Sequence, residues 1–360
     1  MAPPQRTTLL LALGLLTAAP QVAGAASLDP DLLAGLTARS IGPAAMSGRV
    51  AAIAAVPGRE GGEPSTIWVG AATGGVWRSS DGGITWTPVF DDQPVAAIGE
   101  VAVSPAAPEV VWVGTGEGNP RNSASVGNGV YRSRDGGTTW QHLGLADSER
   151  IHRILLHPRE PDTAWVCAMG KTWGENAERG VFRTTDGGAT WEKVLYVDPR
   201  TGCADLVADP ANPRKLFAAM WDHRRWPWFF RSGGPGSGLF VSADGGSHWR
   251  RVTPDDGLPE GDLGRIGLAV APSRPATVYA LVEAAESGLY RSTDGGRTWE
   301  LRTTEPDAGN RPFYYADLRV DPADPDRVYS LWSLVSVSDD GGATFRRLVP
   351  FRVVHPDHHA

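Results

Sequence analysis

An eight-residue pattern, S/T-x-D-G-G-x-x-W/F, occurs six times in this chain and constrains its fold more than any other feature. The copies are Ser79–Trp86, Ser133–Trp140, Thr184–Trp191, Ser242–Trp249, Ser292–Trp299 and Ser338–Phe345. Their aspartates, Asp81, Asp135, Asp186, Asp244, Asp294 and Asp340, are separated by 54, 51, 58, 50 and 46 residues. A period near fifty denotes a repeat architecture, in which one small unit cannot bury its own faces and neighbours must stack. The paired glycines permit positive φ in a tight turn. The Asp and Ser/Thr side chains can bond the turn's own backbone. The closing residues Trp86, Trp140, Trp191, Trp249, Trp299 and Phe345 are expected to wedge between neighbouring units. A calcium loop of the EF-hand type needs acids or amides at alternating positions and a closing Glu. Here one acid is followed by glycines, so the aspartates are read as structural. A catalytic centre is needed once, whereas this pattern serves every unit.

Four short segments recur around each copy. The first, Arg49–Val56 in the first unit, ends at a proline turn, repeated as Ser104–Pro108, His157–Pro161, Asp209–Pro213 and Asp321–Pro325. Proline cannot donate to a ladder, so these tracts end a strand. A second apolar strand follows, as in Ile67–Gly70, Val111–Val113 and Val278–Ala280. A third, such as Gly75–Arg78, Gly129–Arg132 or Gly288–Arg291, runs into the pattern, and a fourth, Thr85–Val89 in the first unit, leaves it. The pattern predicts an all-β chain, a β-propeller of four-stranded antiparallel blades. Six complete blades are expected, at roughly 45–90, 95–143, 149–197, 202–252, 263–303 and 313–351. Residues 353–360 read as the start of another inner strand. The expectation is a truncated chain and an incomplete larger ring; the alternative is a six-bladed ring without a strand-exchange clasp.

Arg6, the apolar run Leu9–Leu16 and the small residues Ala23–Ala25 have the form of a secretory signal. Residues 1–25 are assigned to it and 26–44 to a linker, leaving 45–352 for the propeller. Export to the periplasm or beyond is expected. The apolar run is too short to span a bilayer, and nothing later replaces it. The net charge is -7 and no basic tract is present, which argues against a nucleic-acid partner. Cys167 and Cys203 either pair or remain buried thiols. No cofactor is expected, and no metal site, even at His355, Asp357, His358 and His359.

In a propeller the turns after the third strands lie on one face, and the loops between strands two and three lie on the other. Three of those opposite loops are long: Gly116–Asn122, Lys171–Arg179 and Trp221–Arg231. Trp173, Trp221, Arg224, Arg225, Trp226 and Trp228 are candidate ligand contacts, since exposed rings beside arginine suit sugar faces or peptide anchors. Otherwise these rings cap the propeller. A second group lies in the inner strands. Glu100, Arg153, Asp205 and Asp317 each stand five residues before the strand-ending proline, with Arg265 two residues further back. They are expected at the mouth of the central channel, either paired with one another or lining a pocket for a charged or sugar ligand.

The repeated pattern resembles the Asp-box of sialidases, xyloglucanases and the sortilin ectodomain. Ile41–Val50, Val113–Glu117, Gly234–Gly238 and Arg311–Tyr315 resemble a bacterial exported family labelled glycosyl hydrolase or sortilin-like, over essentially the whole mature chain. The resemblance implies a chain running past this C-terminus. Xyloglucanases carry a catalytic Asp in a turn resembling T-D-I-G-G-A-Y; Ala71–Trp77 matches it, with Ala72 at the acid's position. The early F/Y-R-I-P motif of sialidases is absent, although Arg49, Arg153, Arg265 and Arg311 with Tyr314 or Tyr315 could imitate an arginine triad. The sequence has no serine nucleophile elbow and no zinc motif. The reading is an exported sortilin-like propeller that binds a protein, peptide or glycan through the loops opposite the Asp-boxes. The alternative is a glycoside hydrolase using Glu117, Asp205, Asp222 or Asp317.

Overall fold

The computed structural model describes residues 49–58, 64–309, 311–314, 316–350, 352 and 357–358. The proposed signal and linker, Tyr315, His355 and His359 lie outside the described residues. The chain forms six antiparallel sheets arranged as a β-propeller, each built from strands consecutive in sequence. The innermost strands are Val50–Val56, Ile98–Val103, Ile151–Leu156, Thr201–Asp209, Ile266–Val270 and Asp317–Val320, in blades 1 to 6. All six line one central cavity.

Each Asp-box closes through its own backbone. In blade 3 the Thr184 hydroxyl donates to Asp186 at 2.8 Å and accepts from the Gly188 N–H at 2.8 Å. Asp186 in turn accepts from the Thr190 N–H at 2.9 Å and the Thr190 hydroxyl at 2.6 Å. These donors hold the carboxyl down at about 2. Gly187 and Gly188 take φ of 73° and 88°, which a side chain would strain. Among the described residues no group of His, Cys, Asp and Glu has the form of a metal site.

Apolar clusters join blade 1 to 2, 2 to 3, 3 to 4, 4 to 5 and 5 to 6. The box aromatics contribute to them: the Trp140 indole donates to Val89 O at 2.6 Å and that of Trp191 to Leu143 O at 2.7 Å, both in the preceding blade. Trp249, Trp299 and Phe345 pack likewise. Trp86 is the exception. It is 39% exposed and, among the described residues, joins none of these clusters. Cys167 and Cys203 form a buried disulfide that ties the second strand of blade 3 to the inner strand of blade 4.

Two departures from regular blades shape the site. Register shifts interrupt the inner strands of blades 2, 3 and 4 next to Glu100, Arg153 and Asp205. Such bulges re-aim side chains. In blade 4 the segment read as a Trp221–Arg231 loop is instead a β-hairpin. The second strand runs on as Asn212–Trp226 and folds back through Phe229–Ser232. An unbroken buried run, Leu216–His223, is followed by half-buried Arg224, Arg225 and Trp226, which pair with the returning strand.

Candidate functional site

The inner-strand charges meet in the channel on one guanidinium. Arg153 donates to Asp205 at 3.1 Å and to Asp317, and stands 3.6 Å from Glu100. Arg319 lies 3.6 Å from Asp317. Asp205 also accepts from the backbone N–H of Leu206 at 2.9 Å and of Leu268 at 2.8 Å, so it locks blade 4 to blade 5. Burial pushes Glu100 up to about 7, against the attraction of Arg153 and a hydrogen bond from Val101 N–H. Burial opposes ionisation of Asp317 too, yet Arg153 and Arg319 hold its carboxyl well below the usual range. Glu100, Arg153, Asp205 and Arg319 line a central cavity of about 570 Å³. Its walls are apolar residues such as Ile53, Leu155, Val207 and Val320, and it reaches the proline turns at Pro210 and Pro272.

Arg265 does not join this ring. It is buried with its guanidinium filled by Asn119 Oδ1 at 3.0 Å, His152 Nε2 at 3.0 Å and the carbonyls of Phe313 and Tyr314. One arginine of blade 5 thus reaches blades 2, 3 and 6. Burial lowers its pKa and also pushes His152 well below the ordinary histidine value, so the imidazole accepts as a neutral base. Arg265 preceding its strand, rather than lying within it, accounts for the different direction.

The opposite face is organised by the hairpin. Trp221, expected as an exposed contact, is fully buried at its root, stacked on His223 with centroids 4.4 Å apart. Its indole donates to Ser232 Oγ at 3.1 Å. The tip is open: Trp228 is 82% and Phe229 57% exposed, and Trp173 of the neighbouring loop is 41% exposed. Arg224 and Arg231 lie over Trp226 at 4.7 and 5.6 Å. Arg225 is a strap: it bonds Pro120 O and Asn122 Oδ1 of the blade 2 loop, while its N–H bonds Thr172 O of blade 3 at 2.8 Å. Two hollows flank it. One of about 440 Å³ is lined by Arg121, Arg225, Arg311, Phe313, Tyr314 and Asp357. The other, of about 550 Å³, includes Phe229, Phe230, Arg231 and Glu283.

Of the candidate carboxylates on this face, neither stands free. Glu117 is buried in an ion pair with Arg49, and Asp222 accepts from Arg231 at 2.7 Å with Arg200 at 3.8 Å. Ala72, at the position where the xyloglucanase turn has its acid, is buried. Several participants were not foreseen from sequence: Asn119, His152, His223 and Glu283, which accepts from Ser232 Oγ at 2.5 Å and Arg265 N–H at 2.8 Å. Arg179, with four hydrogen bonds to Asn176 and the carbonyls of Arg200, Lys171 and Gly174, shapes the blade 3 loop. Each depends on contacts across blades or loops, which no local spacing encodes.

The family model described as sortilin, neurotensin receptor 3 matches residues 74–195 and 128–252, and the BNR/Asp-box repeat model matches 290–301. A xyloglucanase of Paenibacillus sp is 25% identical over 236 residues, covering 57% of this chain and 21% of that protein. The chain therefore spans about a fifth of that relative's length. Among solved structures, an ancestral GH74 enzyme superposes with a TM-score of 0.55 at 18% identity, over 81% of this chain and 35% of that one. YCF48 bound to D1 peptide superposes with a TM-score of 0.55 at 15% identity, over 87% and 85% of the two chains. The repeated turns, the six four-stranded blades and these matches agree: the chain is an Asp-box repeat β-propeller, similar to the sortilin family over residues 74–252 and sharing its fold with the ancestral GH74 enzyme.

Proposed function

We propose that the protein is directed at a polysaccharide, as a glycoside hydrolase module of the xyloglucanase type, and that it holds the glycan on the face opposite the Asp-boxes. The carrying observation is the open hairpin tip, Trp228 and Phe229 with Trp173 on the neighbouring loop, together with half-buried Trp226, on a chain that has xyloglucanases among its sequence relatives. Flat rings kept in solvent on a rigid hairpin suit the apolar faces of sugars at little ordering cost. Hydrolysis needs two carboxylates. Asp222, at the hairpin root, and Glu117 are the residues of this face that could serve, once released from Arg231 and Arg49 by substrate. The disulfide and the N-terminal signal pattern support an exported, oxidising location.

The test is retardation of the full chain in gels containing xyloglucan, together with release of reducing sugar. Trp226→Ala with Trp228→Ala is expected to weaken retention by roughly tenfold, the loss of one or two stacked rings. Asp222→Asn or Glu117→Gln is expected to abolish sugar release while leaving retention. Retention without release would remove the hydrolase part; the absence of both would remove the glycan reading.

A second reading rests on a separate observation. Arg121, Arg225 and Arg311 line one hollow beside Phe313 and Tyr314, with Asp357 as its one acid among the lining residues. A neutral glycan has no use for that charge, whereas a peptide carboxylate does. In this reading the same face takes a peptide, and capture falls with added salt.

A further inference from the structure

The two hollows beside the hairpin adjoin, since Arg225, Arg311 and Phe313 line both, and their charge is lopsided. Arg121 is a third guanidinium in the smaller hollow, and Arg231 is a third in the larger. Against these arginines the described lining residues set one acid in each, Asp357 and Glu283. Glu283 is already engaged by the Ser232 hydroxyl and the Arg265 N–H. Burial pushes its carboxyl up, which weakens it as a counter-charge. Arg231 is paired with Asp222 at 2.7 Å.

Arg225 is held in another way. Its guanidinium lies over the Phe230 ring at 4.6 Å. Nε and one terminal nitrogen donate to Pro120 O, and the other terminal nitrogen donates to Asn122 Oδ1 at 2.5 Å. All these partners are neutral. A guanidinium has five N–H groups. Three are used here, which leaves one on each terminal nitrogen. Among the described residues no carboxylate stands within ion-pair distance of Arg225 or of exposed Arg121. Burial works against the Arg225 charge. A half-buried cation in a neutral cradle, with donors to spare, is stabilised by an incoming anion. Flat rings stand beside it: Phe229, open to solvent, lines the larger hollow, and Trp228 precedes it at the hairpin tip.

We propose that the glycan taken by this face is an acidic one, a polysaccharide bearing uronic acid carboxylates, with Arg225 and Arg121 selecting the carboxylate and Phe229 and Trp228 taking the sugar faces. The inference rests on the glycan reading of this face and adds the charge of its ligand. Repetition decides between sources of carboxylate. A peptide end brings one, enough for one hollow. A polyuronide brings one on every sugar, together with apolar ring faces, and here cations recur in two adjoining hollows next to open rings.

The test is retardation of the full chain at low salt in gels containing polygalacturonate, neutral xyloglucan or dextran sulfate. Polygalacturonate is expected to retain the chain more strongly than xyloglucan, and added salt to weaken only the former. Arg225→Gln and Arg121→Gln should each weaken retention by polygalacturonate roughly tenfold, the loss of a charge-assisted hydrogen bond, and retention by xyloglucan by less than about twofold. Arg225 also straps two loops, whereas the exposed Arg121 side chain does not, so Arg121→Gln reads the charge in an intact fold. Retention by xyloglucan equal to or above that by polygalacturonate overturns the inference and leaves the glycan reading standing. Retention by neither overturns both. Equal retention by dextran sulfate, with the same dependence on Arg121, overturns the inference in favour of a surface for any polyanion. Displacement from polygalacturonate by a short peptide with a free C-terminus, at lower concentration than by trigalacturonate, overturns it in favour of a peptide.

Discussion

Glu100 and Asp317 share one arginine and respond to it in opposite ways. Glu100 rises from an ordinary 4.5 to about 7 because burial outweighs Arg153, so the folded state holds a proton that the unfolded chain releases. Its contribution to stability is therefore complete below about 4.5 and is lost as pH rises through about 7. Asp317 is held low by Arg153 and Arg319 and contributes in the other direction, being lost only as acid protonates it below its ordinary value. The Asp-box carboxylates add to that acid limb, with Asp135, Asp186, Asp294 and Asp340 at about 2. Glu100→Gln, which mimics the protonated form, is expected to gain stability over the wild type progressively between about 4.5 and 7, to keep that gain above neutral pH and to match the wild type only below about 4.5. Urea midpoints across that range check this; a difference that does not vary with pH would contradict it.

At the scale of the element, the blades reveal what local pattern can and cannot specify. The turn Thr184–Trp191 was legible because every partner of Asp186 lies within four residues of it. The four-strand unit was legible for the same reason, through glycine, proline and alternation. The hairpin Asn212–Ser232 was not, because a strand that continues past its sheet has the same composition as an aromatic loop. Trp221 illustrates the cost: the same indole reads as a ligand contact in sequence and as a core ring once Phe230 and His223 fold over it. The convergence of Glu100, Arg153, Asp205 and Asp317 could be placed from their common spacing, but Arg265 could not, since its partners Asn119 and His152 are 146 and 113 residues away. The disulfide belongs to this scale as well. It closes 36 residues between two blades, so Cys167→Ser is expected to cost about 3–4 kcal/mol by chain entropy. Chemical denaturation under non-reducing conditions checks this, and the wild type with reductant should fall to the variant's level.

Over the whole molecule, a radial stack of blades would ordinarily behave as a one-dimensional array, each unit coupled to its neighbours alone. Such an array frays from its ends, and in chain order the ends of the described blades are blade 1 and blade 6. The contacts of Arg153, Arg225 and Arg265 run otherwise. They join blade 3 to 6, blade 4 to 2, and blade 5 to 2. These are chords across the ring. A chord makes the loss of an end blade pull on blades that are not its neighbours, so fraying costs what global unfolding costs. Calorimetry should accordingly show one transition for the wild type. Arg265→Met, which cuts the chord while keeping the bulk, should separate an early, broad transition from the main one. The three arginines would then act less as site residues than as the cross-bracing that lets a row of repeats melt as a single body.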